Sequence, residues 1–182
     1  NKTYKLMIRI CVLGDIGSGK SYVAKNFGYP VFNADYEVGL LYRKNKKIFK
    51  KLNKVLPNYI NSYPIKKNEI IAAIMHNGSN LKKIIRIVHS EIRKKMNDFV
   101  KKHRNKKIIV LDIPLLLENK INKKKDILVF IVSKKFDSFK RLKKRENFNP
   151  KLLKKFRDIQ LPLAYKKKKS QFIIKNDFTQ KT

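Results

Sequence analysis

The sequence predicts an α/β fold: a mostly five-stranded parallel sheet between helical layers, in a three-layer sandwich. Three observations point there. Short runs made almost wholly of apolar residues recur along the chain, as strands buried on both faces require. Stretches of helical periodicity separate these runs, which makes the strands parallel and joined by crossovers. A glycine-punctuated loop, GDIGSGKS at 14–21, stands between the first apolar run and the first helical one.

Residues 6–13, LMIRICVL, are the first expected strand, and Lys20 to Phe27 the first helix. PVFNAD at 30–35 is a short second strand closed by the Asp35 carboxylate. Residues 36–104 change character. Ile84, Ile87, Val88 and Ile92 keep i, i+3, i+4, i+8 spacing. Turn signals at 56–64 and 76–80 break this block into several helices. It is too long for one crossover, so we expect it to form a helical lobe inserted in a single domain that spans 1–182. KIIVLDIP (107–114) and DILVFIVS (126–133) are buried strands of the first type. Residues 136–145 and 150–160 are helical, the second opening on Pro150, which suits a first-turn position. Together 136–160 form an expected basic lid. QFIIKND (171–177) supplies the last strand.

Composition narrows the function classes. Apolar residues make up 42% of the 182, enough for a core. No apolar run approaches the ~20 residues that cross a bilayer, and we expect no membrane association. The N-terminal apolar stretch is interrupted by Arg9 and has no small-residue cleavage site, so no signal peptide is expected. Cys11 is the only cysteine, which excludes an internal disulfide and argues against thiolate metal sites. It reads as a buried core residue, and the cytoplasm as the expected compartment. Lys and Arg number 46 against 13 Asp and Glu, a net charge of +33. Such a field attracts polyanions. The lysines are spread along the chain instead of gathered in an arm, and no basic tail or interleaved aromatic platform is present. Both features argue against nucleic acid as the partner; the spread is that of lysine used as the generic solvated residue, with polyphosphorylated small molecules the other candidate polyanion.

The loop at 14–21 satisfies G-x-x-x-x-G-K-[ST] in the required strand-then-helix context. Gly14, Gly17 and Gly19 let successive amides turn inward around an anion, and the following helix adds its positive N-terminal end. Lys20 is placed to reach the β- and γ-phosphates of a nucleoside triphosphate, and the Ser21 hydroxyl to ligate Mg²⁺. Carboxylates are scarce, so those at strand ends stand out. Asp35 closes the second strand and Asp112 the third, with Glu118 shortly after. Ligands of doubly wound sheets bind at the carboxyl ends of strands, so one aspartate can orient or deprotonate an acceptor hydroxyl while the other holds Mg²⁺ or its waters. Arg141 and Arg145 lie four apart on one helical face, with Arg157 in the next helix, and can spread over transferring phosphate; a solvated basic face is the competing interpretation. His89 falls among Ile and Val, where packing is the default for a histidine. His76 and His103 carry no assignment.

The order GDIGSGKS, FNAD, IVHSEI, LDIPLLLE, KRLKKR, RDIQLPL and FIIKN resembles the dephospho-coenzyme A kinase family over residues 8–177. The loop is shared by many P-loop kinases; the LDIPLLLE segment, the Ala-Asp pair and the Gln-x-Pro-Leu motif are more particular. The resemblance implies a monomer or weak oligomer that transfers the γ-phosphoryl of ATP to the ribose 3′-hydroxyl of dephospho-coenzyme A. It implies that Gly17, Ser18, Gly19, Lys20, Ser21 and Tyr22 hold the ATP phosphates, with Arg141, Arg145 and Asn176 also near ATP. It makes Asp35 the residue acting on the hydroxyl, alongside Lys20 and Arg145 in catalysis. His89, Asp112, Pro114, Leu115 and Leu116 fall beside the acceptor. Departures are Asp15 for a second loop glycine, Tyr22 for Thr, Gly39 for a histidine, Ser90 for a proline, and Ser170-Gln171 for an Ala-Asp pair. The loop alone also admits a nucleoside or nucleoside-monophosphate kinase, or a nucleic-acid-binding P-loop protein.

Overall fold

The computed structural model describes residues 7–145 and 148–179. Leu6 of the expected first strand and residues 146–147 of the expected lid lie outside the described residues. The described strands are β1 (Ile8–Gly14), β2 (Val31–Asn33), β3 (Ile108–Asp112), β4 (Ile127–Val132) and β5 (Phe172–Lys175). They form one five-stranded sheet, all parallel, in the order β2-β3-β1-β4-β5. The α/β expectation therefore holds. The chain moves outward from β1 to β2, returns through β3, then crosses to the other side of β1, so the order reverses beside β1. Register places Val12 opposite Asp112 and Gly14 opposite Ile131. The end of β1 is thus flanked by Asp112 on one side and Ile131 on the other.

The helices are α1 (Lys20–Asn26), α2 (Ala34–Lys44), α3 (Lys46–Val55), α4 (Lys67–His76), α5 (Ser79–Lys102), α6 (Lys135–Lys143), α7 (Pro150–Asp158) and α8 (Leu163–Lys169). Helix α1 packs across β1, β2 and β3. Its Ala24 closes on Val12 and Val110, and its Val23 on Val129 and Ile131. This wedge fixes the helix that follows the glycine loop. Arg9 and Cys11 point to the other face of β1, by strand alternation. There the buried Arg9 guanidinium meets Asp126 at 2.9 Å. Burial and the neighbouring Asp126 charge push the Cys11 thiol far up, so it stays an inert core residue, as expected.

One boundary that bears on the site and one whole helix differ from expectation. Asp35 does not close β2, which ends at Asn33; Ala34 already begins α2, and Asp35 lies exposed in its first turn. An apolar run of three residues gives the sequence too little period to set that boundary. Helix α8 was not expected at all.

The chain divides into two compact units. One comprises 34–97 with 149–158; the other holds the remaining described residues, including the whole sheet. Within the first unit, the loop before α4 is organised by one side chain. The Glu69 carboxylate accepts from the Ser62 hydroxyl at 2.6 Å and from the amides of Asn61, Ser62 and Lys66 at 2.9, 3.0 and 3.0 Å. Partial burial raises its carboxyl, but these donors outweigh that and hold it below the ordinary range. Its folded pKa lies below its unfolded one, so its stabilisation is present above the unfolded pKa and lost as pH falls through the folded one. Glu69→Ala should cost about 2 kcal/mol at pH 7. Thermal unfolding should show the gap between wild type and variant narrowing toward pH 3; a gap independent of pH would refute this role.

Candidate active site

The phosphate loop hangs between the end of β1 and α1. Gly19 has φ +85°, a left-handed value that L side chains rarely adopt. A Cβ there would collide with the side-chain amide of Asn176 and come within 3.2 Å of the Phe178 ring. Gly14 has φ +150°, and a Cβ on it would lie 2.6 Å from the Ile131 carbonyl oxygen and 2.8 Å from Ser18 Oγ. The loop thus has glycine where it must pass close to the β4 backbone at Gly14 and to the Asn176 side chain at Gly19. Gly17 lies beneath the Leu142 side chain of α6. Gly19→Ala should therefore weaken binding of an ATP analogue at least about tenfold in calorimetry, while the sheet folds normally. Unchanged affinity would show that the loop tolerates a different path.

Lys20 is half-buried, and its Nζ donates to the carbonyls of Asp15 at 2.8 Å and Gly14 at 3.3 Å. These contacts hold the ammonium over the loop that it serves. The Asp15 carboxylate, one of the departures, accepts from the Ile16 amide at 2.7 Å. Ser18 is buried, its amide donating to the Asp15 carbonyl at 3.2 Å. Tyr22 is exposed on α1.

The geometry next to the loop is sharper. Ser21 Oγ donates to Asp112 Oδ2 at 2.5 Å, and Asn33 Nδ2 donates to the same oxygen at 2.8 Å and to Ser21 Oγ at 3.4 Å. Asp112 is 3% exposed at the end of β3. Burial pushes its carboxyl up, opposed by the Ser21 hydroxyl and by the charges of Lys20 and Lys25. Such a desolvated carboxylate beside a serine hydroxyl is a pair of hard oxygen donors, the chemistry that suits Mg²⁺. Among the described residues no group of three or more His, Cys, Asp or Glu side chains forms a metal cage. Magnesium held by one or two protein oxygens plus substrate phosphates needs no such cage. Asn33 was missed as a site residue, because its partner lies 79 residues away. Its position next to the Ala-Asp pair was the only signal.

Asn176 follows β5 and is 2% exposed. Its Nδ2 donates to the Ser18 carbonyl at 2.9 Å and its Oδ1 accepts from the Phe178 amide at 2.9 Å. It braces the loop from the far end of the chain. Arg141, exposed on α6, lays its guanidinium 4.5 Å from the centre of the Phe178 ring. Arg145 is exposed just past α6. Beyond β3, Pro114 and Leu115 are half-buried, whereas Leu116 is wholly buried in the core.

In the other unit, Asp35 is exposed in the first turn of α2, where a carboxylate is favoured by the helix dipole. His89 is half-buried on α5, with Nε2 enclosed and lacking a hydrogen-bond partner. Burial and the Arg93 charge lower its pKa, which keeps the ring neutral at pH 7.

Comparison with known proteins bears on this site. Residues 8–181 match the family model described as Dephospho-CoA kinase. The dephospho-CoA kinase of Wolbachia sp. subsp. Brugia malayi is 34% identical over 170 residues, covering 91% of this chain and 87% of that protein. A crystal structure from Thermus thermophilus superposes with a TM-score of 0.76 at 23% identity, covering 96% of this chain and 91% of that one. The dephospho-CoA kinase from Campylobacter jejuni gives a TM-score of 0.60 at 24% identity, covering 97% and 91%. The two structures carry the fold, and the sequence matches carry more. With nearly its whole length matched by that model and by a relative of that name, the chain belongs to the dephospho-CoA kinase family.

Proposed function

We propose that the chain transfers the γ-phosphoryl of ATP to the ribose 3′-hydroxyl of dephospho-coenzyme A, giving coenzyme A and ADP. Family membership makes it a kinase of the last step of coenzyme A biosynthesis; the roles of individual residues are the proposal. The observation that carries them is the 2.5 Å contact of Ser21 with buried Asp112 beside a glycine loop that ends in Lys20. Loop amides and Lys20 hold the triphosphate. Ser21 and Asp112 would hold Mg²⁺, which when bound neutralises charge on the phosphates. Asp35 takes the proton of the 3′-hydroxyl as that oxygen bonds to the γ-phosphorus and the bond to the ADP oxygen breaks. Arg141 and Arg145, on a 136–160 lid, spread over the charge and keep water out. Residues 36–104 form the lobe that receives the acceptor, with His89, Asp112, Pro114 and Leu115 on its path; Leu116, expected there too, is wholly buried and anchors that segment instead. Chemistry of this kind is mostly positioning and electrostatics, so few groups need be reactive. The single cysteine, buried and unpaired, suits a reducing compartment such as the cytoplasm.

An ADP-release assay across acceptors tests this. ADP should form with dephospho-coenzyme A and not with AMP, CMP or nucleosides. ADP formed with a nucleoside or its monophosphate instead would favour the alternative kinase. Both substrates are polyanions and the chain carries +33. The second-order rate should therefore fall steeply with salt, since charges are screened beyond ~8 Å at physiological ionic strength. A rate indifferent to salt up to about 0.5 M would contradict electrostatic steering.

A further inference from the structure

Glu118 and Lys166 make a buried ion pair. The Lys166 ammonium meets Glu118 Oε1 at 2.6 Å, with side-chain exposures of 1% and 10%. The same oxygen accepts from the Leu161 amide at 2.9 Å, and Lys166 Nζ also donates to Gln160 Oε1 at 3.1 Å. Glu118 Oε2 is enclosed without a partner. A pair of this kind returns little net stability; apolar residues of similar volume often serve as well. What it does provide is a fixed joint. Helix α8 packs against β1 and β4, so Lys166 is a post set in the sheet. Glu118 belongs to the turns that follow Asp112, anchored otherwise by the wholly buried Leu116 and by the Ile121 amide donating to the Leu116 carbonyl at 3.0 Å.

We propose that Glu118 and Lys166 are positioning residues for the acceptor: tied to Lys166 and the Leu161 amide, Glu118 holds the segment from Asp112 to Leu116 in its binding geometry. This rests on the acceptor role proposed above for that segment. Both residues act through the loop and neither touches the reacting atoms.

Paired substitutions separate positioning from folding. Glu118→Leu with Lys166→Met removes both charges at similar volume and leaves nothing to accept from the Leu161 amide. Glu118→Gln with Lys166→Met removes the charges but keeps an acceptor. Both doubles should melt within a few degrees of wild type. The Leu/Met double should raise KM for dephospho-coenzyme A about tenfold, with KM for ATP and kcat within about threefold. The Gln/Met double, which keeps an acceptor for the Leu161 amide but loses the tie to Lys166, should raise the acceptor KM less, by about threefold, with KM for ATP unchanged. An unmoved acceptor KM in the Leu/Met double, or an equal rise in both KM values, overturns the proposal. If that double does not fold, Glu118→Gln alone carries the test: a selective rise in acceptor KM supports the joint, and an unchanged one overturns it. A wild-type enzyme that does not phosphorylate dephospho-coenzyme A defeats the functional reading itself. An active wild type whose variants keep their acceptor KM defeats only this inference.

Discussion

Lys20→Ala should abolish measurable phosphoryl transfer, lowering kcat/KM by at least about 10³-fold, because the proposed mechanism gives its charge to the transferring phosphoryl group. The fold should survive. Lys20 Nζ donates hydrogen bonds to the loop carbonyls of Asp15 and Gly14, at 2.8 and 3.3 Å. Their net worth is about 1 kcal/mol each, a small loss for a domain whose core is the sheet. The loop is also held from elsewhere, through Asn176 and the wedge of Val23 and Ala24. Circular dichroism should match wild type, and the steady-state assay should read background. Retained turnover above about one tenth of wild type would mean that the phosphates are gripped by some other cation.

Asp35→Asn should lower kcat by about 10²- to 10⁴-fold, the usual contribution of a positioned proton acceptor. Each KM should stay within about threefold, since an amide of the same shape still accepts a hydrogen bond from the hydroxyl. Stability should change little, because Asp35 is exposed on α2. Near-normal kcat would move the base role to Asp112 or remove it. Asp112 is a poorer candidate on the geometry: its Oδ2 is already engaged by Ser21 and Asn33.

The parallel core was legible because strands buried on both faces read as unbroken apolar runs, and β1, β3 and β4 lie within one or two residues of where those runs placed them. The glycine loop was legible because its φ values and close approaches admit little else. Three features were not. The start of α2 was hidden because β2 is only three residues long, leaving Asp35 on the wrong side of the boundary. Helix α8 carries four lysines in seven residues, LAYKKKK, and shows no apolar stripe. Its inward-facing position is Lys166, which a sequence presents as one more solvated cation; burial becomes sensible only once Glu118 is opposite it. Asn33 looked like the tail of a strand, and its function appears only when β3 brings Asp112 alongside. Asn176 could be named only through family resemblance, its reason being a hydrogen bond to Ser18 across 158 residues.

The most direct measurement is phosphorus NMR of the chain incubated with ATP, Mg²⁺ and dephospho-coenzyme A. A new 3′-phosphomonoester resonance should grow in step with ADP, one for one, with no comparable rise in inorganic phosphate. ADP accumulating with inorganic phosphate and no new monoester would show that the loop delivers its terminal phosphoryl to water, and the transfer described here would be wrong.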